Sequence, residues 1–213
     1  MSTDTDPRSQ WLAGYGPIHH DQQTRQRIAE LAAQLVADGR IADEDRFYAM
    51  LAAADRLTCA GMNVVAHMTY ARRVDLDGQP LVAEDFKPTP EGHTGGSLNM
   101  VPAFVGYLLA NALTGKTRGW LMGQGHCVAA IEAVNALTGD VSPAQQGRYD
   151  RSAAGLARLC QDFYSYETDD TGLPAAPLGS HAGPNTAGAI SEGGYLGFAE
   201  LQYIHMPLPG ESL

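Results

Sequence analysis

Apolar positions recur at helical spacing through the first third of the chain. Ile28, Leu31, Ala32, Leu35 and Val36 fall at i, i+3, i+4, i+7 and i+8, the stripe of an amphipathic helix. The pattern predicts a helix over 23–37, stopped by Gly39. Asp43 is placed to cap a second helix whose stripe is Phe47, Met50, Leu51, Ala54 and Leu57. That stripe continues through Met62, Val65 and Met68 to about Arg73, with Gly61 as a candidate break. Residues 1–20 show no such period and are expected to form an extended arm. A polar segment rich in Pro and Gly follows Arg73. The apolar run Leu98–Leu113 then predicts a buried helix, with Pro102 near its first turn, where proline is tolerated. Asn99, Pro102 and Asn111 leave that run short of a membrane span.

Beyond this run the pattern changes. Trp120, Leu121 and Met122 make a short apolar strand signal that runs into a Gly-Gln-Gly-His loop and a helical CVAAIEAVNALTG. Strand, glycine loop and helix in that order form half of a parallel β–α unit. Residues 153–166 read as another helix, 167–194 as an irregular stretch, and 195–206 as a closing helix. The expected architecture is therefore α/β: a doubly wound parallel sheet over 21–213 with a helical N-terminal region. The final MPLPGESL reads as a turn before a strand. A parallel-sheet chain rarely stops there, so the chain is expected to be a truncated or split polypeptide.

Composition narrows the classes. With 213 residues, 44% of them apolar and 18% charged, the chain can pack a core and is not of disordered type. The net charge of −10, with Arg72-Arg73 as the largest basic group, argues against nucleic acid as a partner. Cys59, Cys127 and Cys160 form no CxxC pair. They describe neither a disulfide framework nor a zinc knuckle, and point to a reduced, cytoplasmic protein. The acidic, polar N-terminus lacks the pattern of a secretory leader. No membrane partner is expected.

The candidate chemistry lies in histidines. His93, His126 and His181 each stand in a glycine-rich loop beside a predicted helix start. Glycine lets a ligand approach the backbone, helix N-termini favour anions, and histidine moves protons near neutral pH. A phosphorylated ligand with proton transfers suits this set. The plainer alternative is that each imidazole bonds its own loop. Their spacings of 33 and 55 residues fit no short zinc motif, so no metal ligand is assigned. Cys127 beside His126 has no evident third partner for nucleophilic work, and Ser97 lacks a GxSxG elbow. In SEGGYLGF the N–H groups of Gly194, Tyr195 and Leu196 can form an anion nest, or the glycines can simply permit tight helix packing.

Taken together, EGHTGGSLN, WLMGQGH and SHAGPNTAGAISEGGYLGF resemble, in order and spacing, the N-terminal part of the thiamine-diphosphate-dependent phosphoketolases, over about residues 50–213. The resemblance implies a transketolase-like thiamine-diphosphate-binding domain, a homodimer when complete or a second chain supplying the remaining domains, and Mg²⁺ held by a later Gly-Asp-Gly segment that these 213 residues do not contain. It implies catalytic roles for His93, His126 and His181, and cofactor contacts from Gly125, Gly194, Tyr195 and Leu196. The implied reaction cleaves a ketose phosphate such as xylulose 5-phosphate, with inorganic phosphate, to acetyl phosphate and an aldose phosphate. Thr94, Asn185, Ser191 and Tyr195 depart from the family pattern, and so does HCVAA at 126–130 where the family has HGGPA. Transketolase-like or epimerase-like chemistry on sugar phosphates, and a non-catalytic interaction subunit, are the alternatives these departures raise.

Overall fold

A computed structural model describes residues 6–116, 125–141, 143–165 and 170. Helix α1 (Pro7–Ala13) begins with proline at its first turn and Asp6 as N-cap, the carboxylate accepting from the Ser9 N–H. Part of the expected extended arm is thus helical, and it buries Trp11. Helix α2 (Gln22–Ala37) starts at Asp21, which accepts from the Thr24 N–H, and ends before Gly39, whose φ of 64° suits glycine. Helix α3 (Glu44–Tyr70) is capped by Asp43, which accepts from the Arg46 N–H, and carries Glu44 and Asp45 in its first turn. These starts and stops agree with the apolar pattern.

Gly61 does not break α3. A Cβ there would lie 2.9 Å from Val101 Cγ1 and 3.3 Å from Val134 Cγ2. The missing side chain lets α4 (Thr94–Thr114) and α5 (Ala129–Thr138) approach α3 at one point. A short helix α6 (Pro143–Gln146) and α7 (Ala153–Asp162) complete the described elements, with Ser152 capping α7 at Gly155. The main core joins the second half of α3 to α4, α5 and α7 through Val65, Met68, Val101, Ile131, Val134 and Leu159. A smaller core holds α1 and α2 on the first half of α3 through Trp11, Ala32, Phe47 and Tyr48.

The expected doubly wound parallel sheet is not seen among the described residues. Among the described residues there are helices and 3-10 turns, and the only sheet-like pairings are isolated antiparallel bridges, Tyr15 with Ile18 and Ala71 with Phe86. The glycine clusters explain the difference. Gly95 and Gly96 lie inside the first turn of α4 instead of in a loop at the end of a strand. Gly125 opens a 3-10 turn, Gly125–Cys127, that leads into α5. The strand expected at Trp120–Met122 and the closing helix at 195–206 lie outside the described residues.

Helix α4 also starts four residues before the apolar run at Leu98, because His93 serves as its N-cap. Pro102 therefore sits inside the helix and not near its first turn, and it offers no N–H to the Leu98 carbonyl. The buried side of α4 is one stripe, Ser97, Val101, Phe104 and Val105. By length and composition α4 is apolar enough to cross a membrane, with mean hydropathy 1.2 over its most apolar stretch, of which 22% is buried. The sequence predicts a buried helix; burial here is one-sided.

Candidate functional site

The segment that carries His93 is fastened to the C-terminal end of α3. Lys87 N–H donates to the Tyr70 carbonyl at 2.8 Å, and Glu91 N–H to the Thr69 carbonyl at 3.0 Å. The Lys87 ammonium donates to the Met68 carbonyl at 2.7 Å and to Glu91 Oε2 at 2.6 Å. Its side chain is 5% exposed. It also lies 5.8 Å from the centre of the Tyr164 ring, just past α7. A cation on the last carbonyls of α3 complements the negative end of that helix. Gly92 has φ 77°, and a Cβ on it would fall into the Tyr164 ring. The chain passes under that ring only because residue 92 is glycine.

His93 then turns the chain into α4. Its Nδ1 accepts from the Gly96 N–H at 3.1 Å, the bond an Asp or Ser cap makes elsewhere. An accepting Nδ1 leaves the ring proton on Nε2, an assignment made from this hydrogen bond. Thr94 Oγ1 and Thr69 Oγ1 lie 3.0 Å apart, a second tie between α4 and α3.

The turn Gly125–Cys127 packs on the first turn of α4. The Ser97 hydroxyl, fully buried, donates to the His126 carbonyl at 3.2 Å. Cys127 is buried against Gly96. The His93 and His126 rings meet edge to face, 4.7 Å between centroids and 73° between planes. His93 is exposed and His126 half-buried, so both can be reached from solvent. The N-termini of α4 and α5 flank the pair, and α5 begins at Val128 with no side-chain cap. Two imidazoles beside the positive end of α4 suit an anionic, hydroxylated ligand.

Two acidic or thiol groups lie close by in the chain. Burial raises the Cys127 thiol above its ordinary value, so it is not a thiolate at neutral pH. Glu132, on α5, is 1% exposed, and neither carboxyl oxygen has a hydrogen-bond partner. Burial pushes its pKa up to about 8.

Of the residues predicted from sequence, His93 and His126 come together and Gly125 opens the turn that presents His126. His181, Gly194, Tyr195 and Leu196 lie outside the described residues. Sequence reasoning missed Lys87, Tyr164 and Glu132, and weighed Ser97 only as a nucleophile, not as the hydroxyl that holds the His126 carbonyl. Glu132 carried a signal: it is a lone charge in the apolar run CVAAIEAVNAL. Among the described residues no group of three His, Cys, Asp or Glu side chains could hold a metal ion.

Residues 48–204 match the family model of the XFP N-terminal domain, and the chain belongs to that family. It is a phosphoketolase N-terminal segment. Over 124 residues, 57% of this chain, it is 32% identical to a protein of Pseudomonas putida described as a probable phosphoketolase. That match spans 14% of the relative's length. No solved structure matches the chain.

Proposed function

We propose that this chain serves a phosphoketolase-type carbon–carbon lyase, in which His93 and His126 carry protons to and from a ketose phosphate. The observation that supports this most is the edge-to-face meeting of the two imidazoles at the N-termini of α4 and α5. The proposed reaction consumes a ketose phosphate of the xylulose 5-phosphate type and inorganic phosphate, and yields acetyl phosphate, an aldose phosphate and water.

Thiamine diphosphate is the cofactor this family implies. The donor set fits a polar, anionic group of that kind: an Nε2–H on His93, the His126 ring and the positive end of α4. The described residues offer no carboxylate set for the accompanying Mg²⁺, so a metal role is assigned to none of them. When bound, thiamine diphosphate supplies a carbon nucleophile and an electron sink.

The chain's own part is orientation and proton transfer. Cleaving the bond between C2 and C3 requires a base for the hydroxyl proton on C3. Loss of water from the two-carbon unit requires an acid for the departing hydroxyl. At His93 the Gly96 N–H occupies Nδ1, so proton exchange there passes through Nε2. His126, held at its carbonyl by Ser97, presents the second ring to the same space. Positioned groups of this kind typically contribute about 10²–10⁴-fold. His181, Gly194, Tyr195 and Leu196 are proposed to complete the site. The working protein is proposed to be cytoplasmic and either a homodimer or completed by a second chain.

The test is acetyl phosphate formation, trapped as the hydroxamate, from xylulose 5-phosphate and phosphate, by this chain joined with the remaining domains of a phosphoketolase. Phosphate-dependent product supports the reading. Aldose phosphate release without acetyl phosphate would point to transketolase-like transfer instead.

A further inference from the structure

Two adjacent glycines open α4, and their surroundings differ. A Cβ on Gly95 would meet nothing within 4 Å. A Cβ on Gly96 would lie 2.6 Å from Cys127 Sγ and 3.0 Å from His93 Nδ1. Alanine is a better helix former than glycine, so glycine at 96 is disfavoured locally unless the space it leaves is used. Cys127 uses it. The residue is 3% exposed, and its sulfur sits over the Gly96 backbone. The same glycine gives its N–H to His93 Nδ1 at 3.1 Å. One residue later the Ser97 hydroxyl holds the His126 carbonyl at 3.2 Å. The first turn of α4 thus touches both histidine-bearing segments within two residues, and only the Gly96 contact with Cys127 is set by shape alone.

We propose that Cys127 is a positioning residue: its sulfur, seated in the notch at Gly96, sets the separation and angle of the His93 and His126 imidazoles. The thiol acts as an uncharged filler, and no covalent step is involved. Its burial, which keeps the proton on sulfur, is consistent with that role. The proposal deepens the functional reading above and rests on it for its importance. Its test reads ring geometry and not turnover, so the two can fail separately.

The experiment is histidine-labelled NMR of the chain with three variants: Gly95→Ala, Gly96→Ala and Cys127→Ala. The readouts are the His93–His126 ring contact and the imidazole nitrogen shifts. Gly95→Ala is expected to keep the wild-type pattern. Gly96→Ala is expected to displace Cys127, weaken the ring contact at least twofold and shift both imidazoles. Cys127→Ala empties the notch without placing a Cβ beside His93 Nδ1, and it is expected to weaken the ring contact and shift both imidazoles; a Cys127→Ala protein with the wild-type ring contact overturns the proposal. A Gly96→Ala spectrum that superposes on wild type overturns the proposal. If Gly96→Ala does not fold, Cys127→Ala decides: a weakened ring contact supports the proposal, and an unchanged one overturns it.

Discussion

The imidazoles of His93 and His126 stand 4.7 Å apart, edge to face, although 33 residues separate them in the chain. Each is fixed by a different bond from the first turn of α4. His93 is held at its ring by the Gly96 N–H, and His126 at its backbone by the Ser97 hydroxyl. One helix start therefore serves both histidine-bearing segments.

The fastening behind His93 is testable through Lys87. Lys87→Met keeps the buried stem but removes the donor from the Met68 carbonyl and from Glu91. Leaving a buried carbonyl unmet costs about 1–3 kcal/mol, so the variant should lose stability of that order in urea unfolding. Gly92→Ala should be worse, because it adds a positive φ to an overlap with the Tyr164 ring. Unchanged midpoints in both variants would contradict the clamp.

Glu132 predicts how stability varies with pH. Its folded pKa is raised to about 8 from an ordinary 4.5 by burial. The folded state therefore binds the proton more tightly than the unfolded chain does. Its contribution is fully favourable below about pH 4.5, is lost as pH climbs towards 8, and is flat above. Glu132→Gln removes the titration. The wild-type stability, measured relative to this variant, should fall between about pH 4.5 and 8 by an amount on the order of a few kcal/mol. Parallel curves for the two proteins would show that Glu132 is ionised in the folded chain.

How much of this could be read from the chain depends on the kind of interaction involved. Asp43 caps α3 as its position before the stripe indicates, Asp21 and Ser152 cap α2 and α7 through equally local bonds, and the stripes of α3 and α7 point inward, whereas on α2 only Ala32 is buried and Leu31 and Val36 are exposed. Gly61 reads as a break because propensity sees only its own helix. Its role is set by Val101 and Val134, which are far off in sequence. The start of α4 was hidden because the cap is a histidine. Glycines in a first helical turn look, in sequence, like loops at the end of a sheet, and that resemblance produced the wrong architecture. His93 and His126 were legible as candidates through their glycine contexts. Lys87 and Tyr164 were not, since their contacts join α3, the following loop and α7.

The cysteines give a chemical prediction. Burial raises the thiols of Cys127 and Cys160, the latter to about 12, and burial with the neighbouring Asp55 raises Cys59. Thiolates are the reactive form, so a disulfide reagent at neutral pH should label Cys127 and Cys160 only after denaturation, and Cys59 slowly. Rapid labelling of Cys127 in the folded protein would contradict the packing at Gly96.

The central claim is that His93 and His126 work as a pair on one substrate. Acetyl phosphate formation by the chain joined with the remaining phosphoketolase domains tests it most directly, comparing wild type with His93→Asn, His126→Asn and the double variant. The account predicts that each single variant loses about a hundredfold or more in kcat/KM, that the double variant is little worse than either, and that all three keep the wild-type circular dichroism. Single variants within a few-fold of wild type, or losses that multiply in the double variant, would contradict it.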